Sequence, residues 1–244
     1  MERKEYYLII LLIFSNLILA AQTQYRQIIY KSYISGNMGN WEKVLSEMES
    51  QKYNSPEFLL ELINYQYGYV GWCIGMKKTK VAELYISKLE SNLNYLNSVT
   101  GESSEFHAYK AALYGFKLGL NIWKAPVLGK KSMTHATLAM EKDSMNIHAN
   151  LEMGNIWNYM PEIFGGSKLK ALYYYSKAIK IIEKTELNKK YNWTYLNLLA
   201  LAGQAADKQG NKQKAIGYYE KALETEPGFL WVKNELLPPL KTDQ

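Results

Sequence analysis

The run Leu199-x2-Ala202-Gly203-x2-Ala206, followed by Ala215-x3-Tyr219-x2-Ala222 and Pro227, constrains this chain more than any other stretch. Its apolar positions recur at helical spacing on both sides of a short polar break, so they describe two helices joined by a turn. Leu199, Ala202, Gly203 and Ala206 form the inward stripe of the first helix. Ala215 and Ala222 form that of the second, and so many small residues let the two axes approach closely. Tyr219 fills the space between this pair and a neighbour, and Pro227 stops the second helix. A pair of this size cannot bury its apolar faces alone, so one copy predicts others.

Two further copies stand upstream. Met153-Gly154-x2-Trp157 precedes Ala171-x3-Tyr175-x2-Ala178, and Tyr114-Gly115-x2-Leu118 precedes Ser132-x3-Ala136-x2-Ala139. In both, the glycine lies 17 residues before the first small residue of the second helix, against 12 in the last pair. The extra residues fall in turns, one from Pro161 to Gly166 and one holding Pro126 and Gly129. A weaker copy joins Tyr67-Gly68-x2-Gly71 to Ala82, and residues 25–50 read as a degenerate pair split at Gly36-Asn37-Met38-Gly39. No strand-like alternation interrupts the series. The periodicity predicts helices near 24–35, 40–51, 55–75, 78–98, 103–122, 130–143, 145–159, 167–184, 190–209 and 212–225. A last helix near 229–237 would cap the stack, with Pro238-Pro239 closing it.

The pattern of small residues, Tyr219 and Pro227 resembles the tetratricopeptide repeat (TPR), a helix–turn–helix unit of about 34 residues. That resemblance implies an all-α, right-handed α-solenoid of about five TPR-like helix pairs with a C-terminal capping helix. The first helix of each pair would line a concave groove. The turn from Pro161 to Gly166 and the stretch Leu128-Gly129-Lys130-Lys131-Ser132 resemble exported bacterial TPR proteins. Among these is the TPR lipoprotein associated with TRAP-type transporters, although no cysteine follows the leader here to accept a lipid.

The leader itself is short. Met1-Glu2-Arg3-Lys4-Glu5 is charged, and residues 6–21 are almost wholly apolar, ending in Ala20-Ala21. This reads as a secretory signal peptide cut near Ala20 or Ala21, which places the mature chain in the periplasm or outside a bacterium. An uncleaved anchor is the other reading, although the apolar run of residues 6–21 is slightly short of the about 20 that a bilayer span takes. The chain then divides into the leader at 1–21, degenerate helical repeats at 22–100, and clearer repeats with their cap at 101–244. Cys73 is the only cysteine, so no disulfide forms within the chain, and beside Trp72 it reads as a small buried apolar residue.

Composition and motifs speak against chemistry. The formal charge of +6 is spread out, with Lys77-Lys78-x-Lys80, Lys130-Lys131 and Lys189-Lys190 at turns or helix ends. Such lysines read as solvated helix ends, with a weak attraction to anionic surfaces, rather than as a nucleic-acid surface. The histidines His107, His135 and His148 lack metal-ligand spacing, and His107 and His135 are expected on helix surfaces. No phosphate-cradling loop or nucleophile elbow is present, so no catalytic residue, metal or cofactor is assigned.

If the first helices line a groove, Tyr69, Trp72, Tyr109, Phe116, His148, Asn155, Tyr159 and Gln204 face it, with Leu120, Asn197 and Lys208 beside them. Aromatic rings supply binding area at low entropy cost, and amides bond to peptide backbone. Rings at helical spacing also commonly pack between repeats, and the chain has 21 tyrosines. The expected function is a non-enzymatic, exported TPR protein that binds a protein or peptide in its concave groove, as a scaffold or assembly factor of the bacterial envelope. The alternative is a solute-handling or transporter-associated periplasmic component with a small ligand. No nucleic-acid partner is expected, membrane contact is expected only through an uncleaved leader, and self-association is left open.

Overall fold

Short turns join successive helices in the computed structural model, which describes residues 23–51 and 55–242, and force them into antiparallel pairs. The first pair is α1 (23–35) and α2 (Met38–Ser50). The second is α3 (Pro56–Gly75) and α4 (Thr79–Thr100), and the third is α5 (Ser104–Leu120) and α6 (Ala125–Lys142). The fourth is α7 (Ile147–Tyr159) and α8 (Lys168–Ile182), and the fifth is α9 (Trp193–Lys208) and α10 (Lys212–Thr225). The architecture is an all-α solenoid, with no strand among the described residues. The leader at 1–21 and its expected cut lie outside the described residues.

Local chemistry sets the helix starts. The side-chain oxygens of Ser55, Ser103, Asn146, Ser167, Asn192 and Asn211 each accept a backbone N–H at the start of α3, α5, α7, α8, α9 and α10. Each cap satisfies one of the N–H groups that a helix leaves unpaired at its first turn. The turn after α7 is built as its residues require. Pro161 cannot extend the helix, Gly165 takes φ 93°, and a Cβ on Gly166 would fall 2.7 Å from the carbonyl carbon of Met160.

Two expectations are corrected. Pro126 and Gly129 do not form a turn: α6 begins at Ala125, five residues earlier than expected, and runs through both. Proline is tolerated in a first helical turn because its missing N–H has no partner there anyway. The extra residues of this copy therefore lengthen a helix, whereas those of the next copy make a loop. The C-terminal cap also differs. Phe229 is fully buried, Val232–Leu236 forms one π-helical turn, and Pro238–Thr242 forms a short helix, α11, which Pro238 opens rather than closes.

Within the pairs, the small residues carry the close contacts. A Cβ on Gly154 would lie 2.5 Å from Cδ1 of Tyr175, and one on Gly203 would lie 2.7 Å from Cδ1 of Tyr219. Both rings are buried, over stripes made by Ala171 and Ala178 in one copy and by Ala202, Ala206, Ala215 and Ala222 in the other. Leu199 is buried beside them, and Pro227 is an exposed turn residue. Gly115 departs from the expected packing role. It is exposed, and a Cβ there would meet nothing within 4 Å, because Ala136 replaces the tyrosine that covers glycine in the other copies. The third pair instead closes through serines: Ser132 donates to the Ala111 carbonyl and Ser104 to that of Ala139.

The stack also closes on itself. Tyr33 of α1 packs 5.1 Å from Phe229 of the cap and donates to Asn197 of α9 at 3.0 Å. Trp41 of α2 meets Trp193 of α9 at 5.1 Å. The N-terminal pair therefore buries its apolar face against the last repeat as well as against its neighbour.

Candidate functional site

The inner faces of α3, α5, α7 and α9 meet at one polar cluster. Trp193 Nε1 donates to Asn64 Oδ1 at 2.8 Å, and Asn64 Nδ2 reaches Tyr109 Oη and His148 Nε2, each at 3.0 Å. Tyr109 Oη lies 2.9 Å from the same His148 nitrogen. Two turns further along α7, Asn155 accepts from Tyr175 Oη at 2.8 Å and donates to Tyr67 Oη at 3.2 Å and to Glu152 Oε1 at 3.0 Å. A Cβ on Gly68 would fall 2.7 Å from both Trp193 and Trp41, so only glycine lets those two rings pass over α3.

Much of this cluster is buried. Glu152 is 5% exposed and Tyr109 3%, while Asn64, His148 and Asn155 are half-buried, so the floor of the inner face is largely packed protein. Burial raises the Glu152 carboxyl to about 7, and hydrogen bonds from Tyr67 and Asn155 partly oppose that rise. Burial also lowers the His148 imidazole to about 4, and its Nδ1 has no partner. His148 is therefore neutral near pH 7, whereas Glu152 is neutral below that pH and ionises through it.

The two act on stability with opposite sign. A carboxyl raised from 4.5 to about 7 loses folded-state stability as pH rises through that window, because the unfolded chain ionises first. An imidazole lowered from 6.5 to about 4 loses stability as pH falls through its own window, because the unfolded chain protonates first. Glu152→Gln keeps an acceptor for Asn155 and removes the first effect. It is expected to stabilise the fold by about 1–3 kcal/mol above pH 7 and by nothing near pH 4, as read by urea unfolding across pH. An equal gain at both pH values would contradict the buried-carboxylate account.

The residues expected in the groove are scattered. Tyr109, His148 and Asn155 belong to this packed floor, as do Tyr67, expected only as part of a repeat motif, and Asn64, Glu152 and Trp193, which the sequence did not single out. Tyr69 is a correction: it turns toward α4, is 3% exposed, and meets Tyr85 at 4.7 Å and Trp72 at 5.5 Å. Trp72 is half-buried beneath the Lys78 ammonium at 4.5 Å. Phe116 is half-buried against Tyr67. Tyr159 is 68% exposed. Gln204 borders a cavity of about 250 Å³ with Asp207, Lys208 and Leu236. His107 is also corrected. It is buried, not on a surface, and its Nδ1 lies 2.8 Å from Nδ1 of His135 because α5 and α6 pack closely there.

An open concavity of about 910 Å³ lies instead along α8. Trp157 of α7 and Tyr218 of α10 wall it, and Leu169, Tyr173 and Tyr174 of α8 project into it. Lys170, Lys177, Lys180 and Lys214 ring it, with the Lys170 ammonium 4.0 Å above the Trp157 ring. Tyr218 and Ser176 share a 2.7 Å hydrogen bond across it. Among the described residues no group of His, Cys, Asp or Glu is arranged to hold a metal, and no helix is long and apolar enough to cross a membrane.

The tetratricopeptide-repeat family model matches residues 197–229, which hold most of α9, all of α10 and the turn after them. No curated protein matches the sequence. Among solved structures, the HusA haemophore from Porphyromonas gingivalis is similar with a TM-score of 0.58 and 16% identity, over 75% of this chain and 94% of that one. TTC0263, a thermophilic TPR protein in Thermus thermophilus, is similar with a TM-score of 0.54 and 14% identity, over 87% of this chain and 95% of that one. This fold suggests a scaffold for protein–protein interaction. The stacked helix pairs, the matched repeat and the structural neighbours together give this chain the fold of the tetratricopeptide-repeat superfamily.

Proposed function

We propose that this chain is a non-enzymatic scaffold, exported by its leader into the bacterial envelope, that binds a protein or peptide segment along α8. The observation that carries this reading is the open cleft with aromatic walls and a lysine rim. Aromatic side chains anchor partners at low entropy cost, and a ring of lysines selects for acidic flanks. The largely packed floor of the inner face leaves the cleft as the more open surface for an extended segment. Its ligand is then an acidic peptide with apolar or aromatic anchors.

A photo-crosslinking residue at Tyr173 is expected to trap a discrete protein adduct in cells, and the double substitution Leu169→Ala with Lys177→Gln is expected to abolish it. A folded double variant that gives the same adduct would remove the cleft from the account. One observation favours a second reading. The similar protein HusA is described as a haemophore, and aromatic walls with a cationic rim also suit a planar, anionic solute. Titrating haem while following its absorbance separates the two: saturable binding lost in the same double variant, with no protein adduct, would replace the peptide by a solute.

A further inference from the structure

The antiparallel pairs place the turns α1–α2, α3–α4, α5–α6, α7–α8 and α9–α10 on one edge of the stack, and the turns between pairs on the other. The two edges differ in both charge and exposure. The four most exposed large apolar side chains are Trp123 at 90%, Ile163 at 86%, Phe164 at 74% and Leu169 at 70%. All lie at the α5–α6 and α7–α8 turns, which neighbour one another in the stack. Met76, at the α3–α4 turn, extends the row at 58%.

Lysines flank these side chains. Lys77, Lys78 and Lys80 follow Met76, Lys124 follows Trp123, and Lys130 and Lys131 lie in the second turn of α6, with the Lys131 ammonium 5.5 Å from the centre of the Tyr114 ring. All six are exposed, and none forms a salt bridge among the described residues. Lys168 and Lys170 border the α7–α8 turn, and Lys208 and Lys214 the α9–α10 turn. The acidic residues in the same stretches are Glu83, Glu162 and Asp207. On the opposite edge Lys142, Lys184, Lys189 and Lys190 are outnumbered by Glu102, Glu141, Asp143, Glu186, Glu224 and Glu226, and Lys189 is paired with Glu186 at 2.6 Å. Positive charge is thus gathered on the edge that also exposes the apolar tips.

We infer that this edge seats on an anionic lipid surface, with Trp123, Ile163 and Phe164 entering the interfacial layer and the lysines facing lipid phosphates. Ile122 with Trp123 and Ile163 with Phe164 stand in exposed pairs at turns bordered by cations, and none of the four lines either cavity described above. A bilayer interface accepts such wedges without a matching shape and supplies the opposite charge. Edge-on seating leaves the α8 cleft, which runs along the helix axis, accessible from the side. Leu169, Lys170 and Lys214 also line that cleft, whereas Trp123, Ile163, Phe164 and the lysines near the α3–α4 and α5–α6 turns do not, and the inference rests on these.

The test is co-sedimentation of the full chain with vesicles of phosphatidylcholine, with and without phosphatidylglycerol. Binding is expected only with the anionic lipid and is expected to fall steeply at about 0.5 M salt. At about one kcal/mol, or fivefold, per lysine, the triple variant Lys124→Gln, Lys130→Gln, Lys131→Gln should bind about 100-fold more weakly. The Trp fluorescence should shift to the blue on binding, and that shift should be lost in Trp123→Phe. All these side chains are exposed, so helicity by circular dichroism should match the parent chain. Equal binding to neutral vesicles, or undiminished binding by the folded triple variant, would overturn the inference and assign binding to the leader. Failure of the parent chain to bind anionic vesicles at low salt, or loss of a protein adduct rather than of vesicle binding in the triple variant, would overturn it as well.

Discussion

Trp193→Ala is expected to lower the unfolding free energy by about 3–5 kcal/mol, the usual cost of emptying a large aromatic site in a core. The Trp193 ring is 5% exposed and packs edge-on against Trp41 and Tyr33. It joins α9 to α1, α2 and α3 at once, so its loss opens a cavity where the stack closes on itself. Its Nε1 also satisfies Asn64, whose Oδ1 would be left without this donor in a buried site. Trp193→Phe separates the two effects, retaining most of the ring and removing the donor, and should cost about 1–3 kcal/mol. Urea unfolding measures both. A loss below about 1 kcal/mol for the alanine variant would mean that the contact between the first and last pairs adds little to stability.

The second large effect falls on a glycine. Gly203→Val should cost about 3 kcal/mol or more, because even a Cβ would press on the buried Tyr219 ring and overpacked cores do not yield freely. Gly154→Val should behave alike beneath Tyr175. Gly115→Ala should do the opposite and stabilise by about 0.5–1 kcal/mol, since the position is helical, exposed and open, and alanine is the better helix former. Thermal unfolding of the three variants checks the contrast. If Gly115→Ala destabilised as Gly203→Val does, the three glycines would share a role that their surroundings do not show.

These glycines show how far a spacing pattern reaches. All three sit at the same place in a repeated motif, and the motif gave them one role. What separates them is the facing residue on the next helix: tyrosine over Gly154 and Gly203, alanine near Gly115. The facing residue was present in the sequence, as Ala136 beside Tyr175 and Tyr219, and it was the signal that could have told them apart. The extra residues before Ser132 and Ala171 show the same limit. Equal insertion lengths suggested equal turns, but Pro126 is compatible with a first helical turn, whereas Gly165 and Gly166 need backbone geometry that a helix lacks.

The groove residues were harder to place, for a different reason. Helical phase identified which side chains of α5 and α7 face inward, and Tyr109, His148 and Asn155 do face inward. Phase says nothing about what stands opposite. Trp193 reaches Asn64 across 129 residues of chain, and Tyr33 reaches Asn197 across 164. Those contacts depend on how far the stack curls, which is the sum of small rotations at every pair. The same curl turns an expected binding surface into a largely packed floor, and its burial then shifts Glu152 and His148.

The lysines follow the same division. The position of Lys77-Lys78 at a turn was legible, because it follows a helix break, whereas Lys130-Lys131, expected at a turn, lie within α6. That they share an edge with Trp123, Ile163 and Phe164 was not, since it depends on every pair running antiparallel to the same depth. The sequence by itself determined the helices, their pairing and the small-residue seams, because those rest on local periodicity and on contacts between neighbours. Only the tertiary structure decided that the inner face is largely packed and that charge and apolar tips gather on one edge. Both are properties of surfaces built from residues far apart in the chain, and their free energy is defined only once the whole stack is assembled.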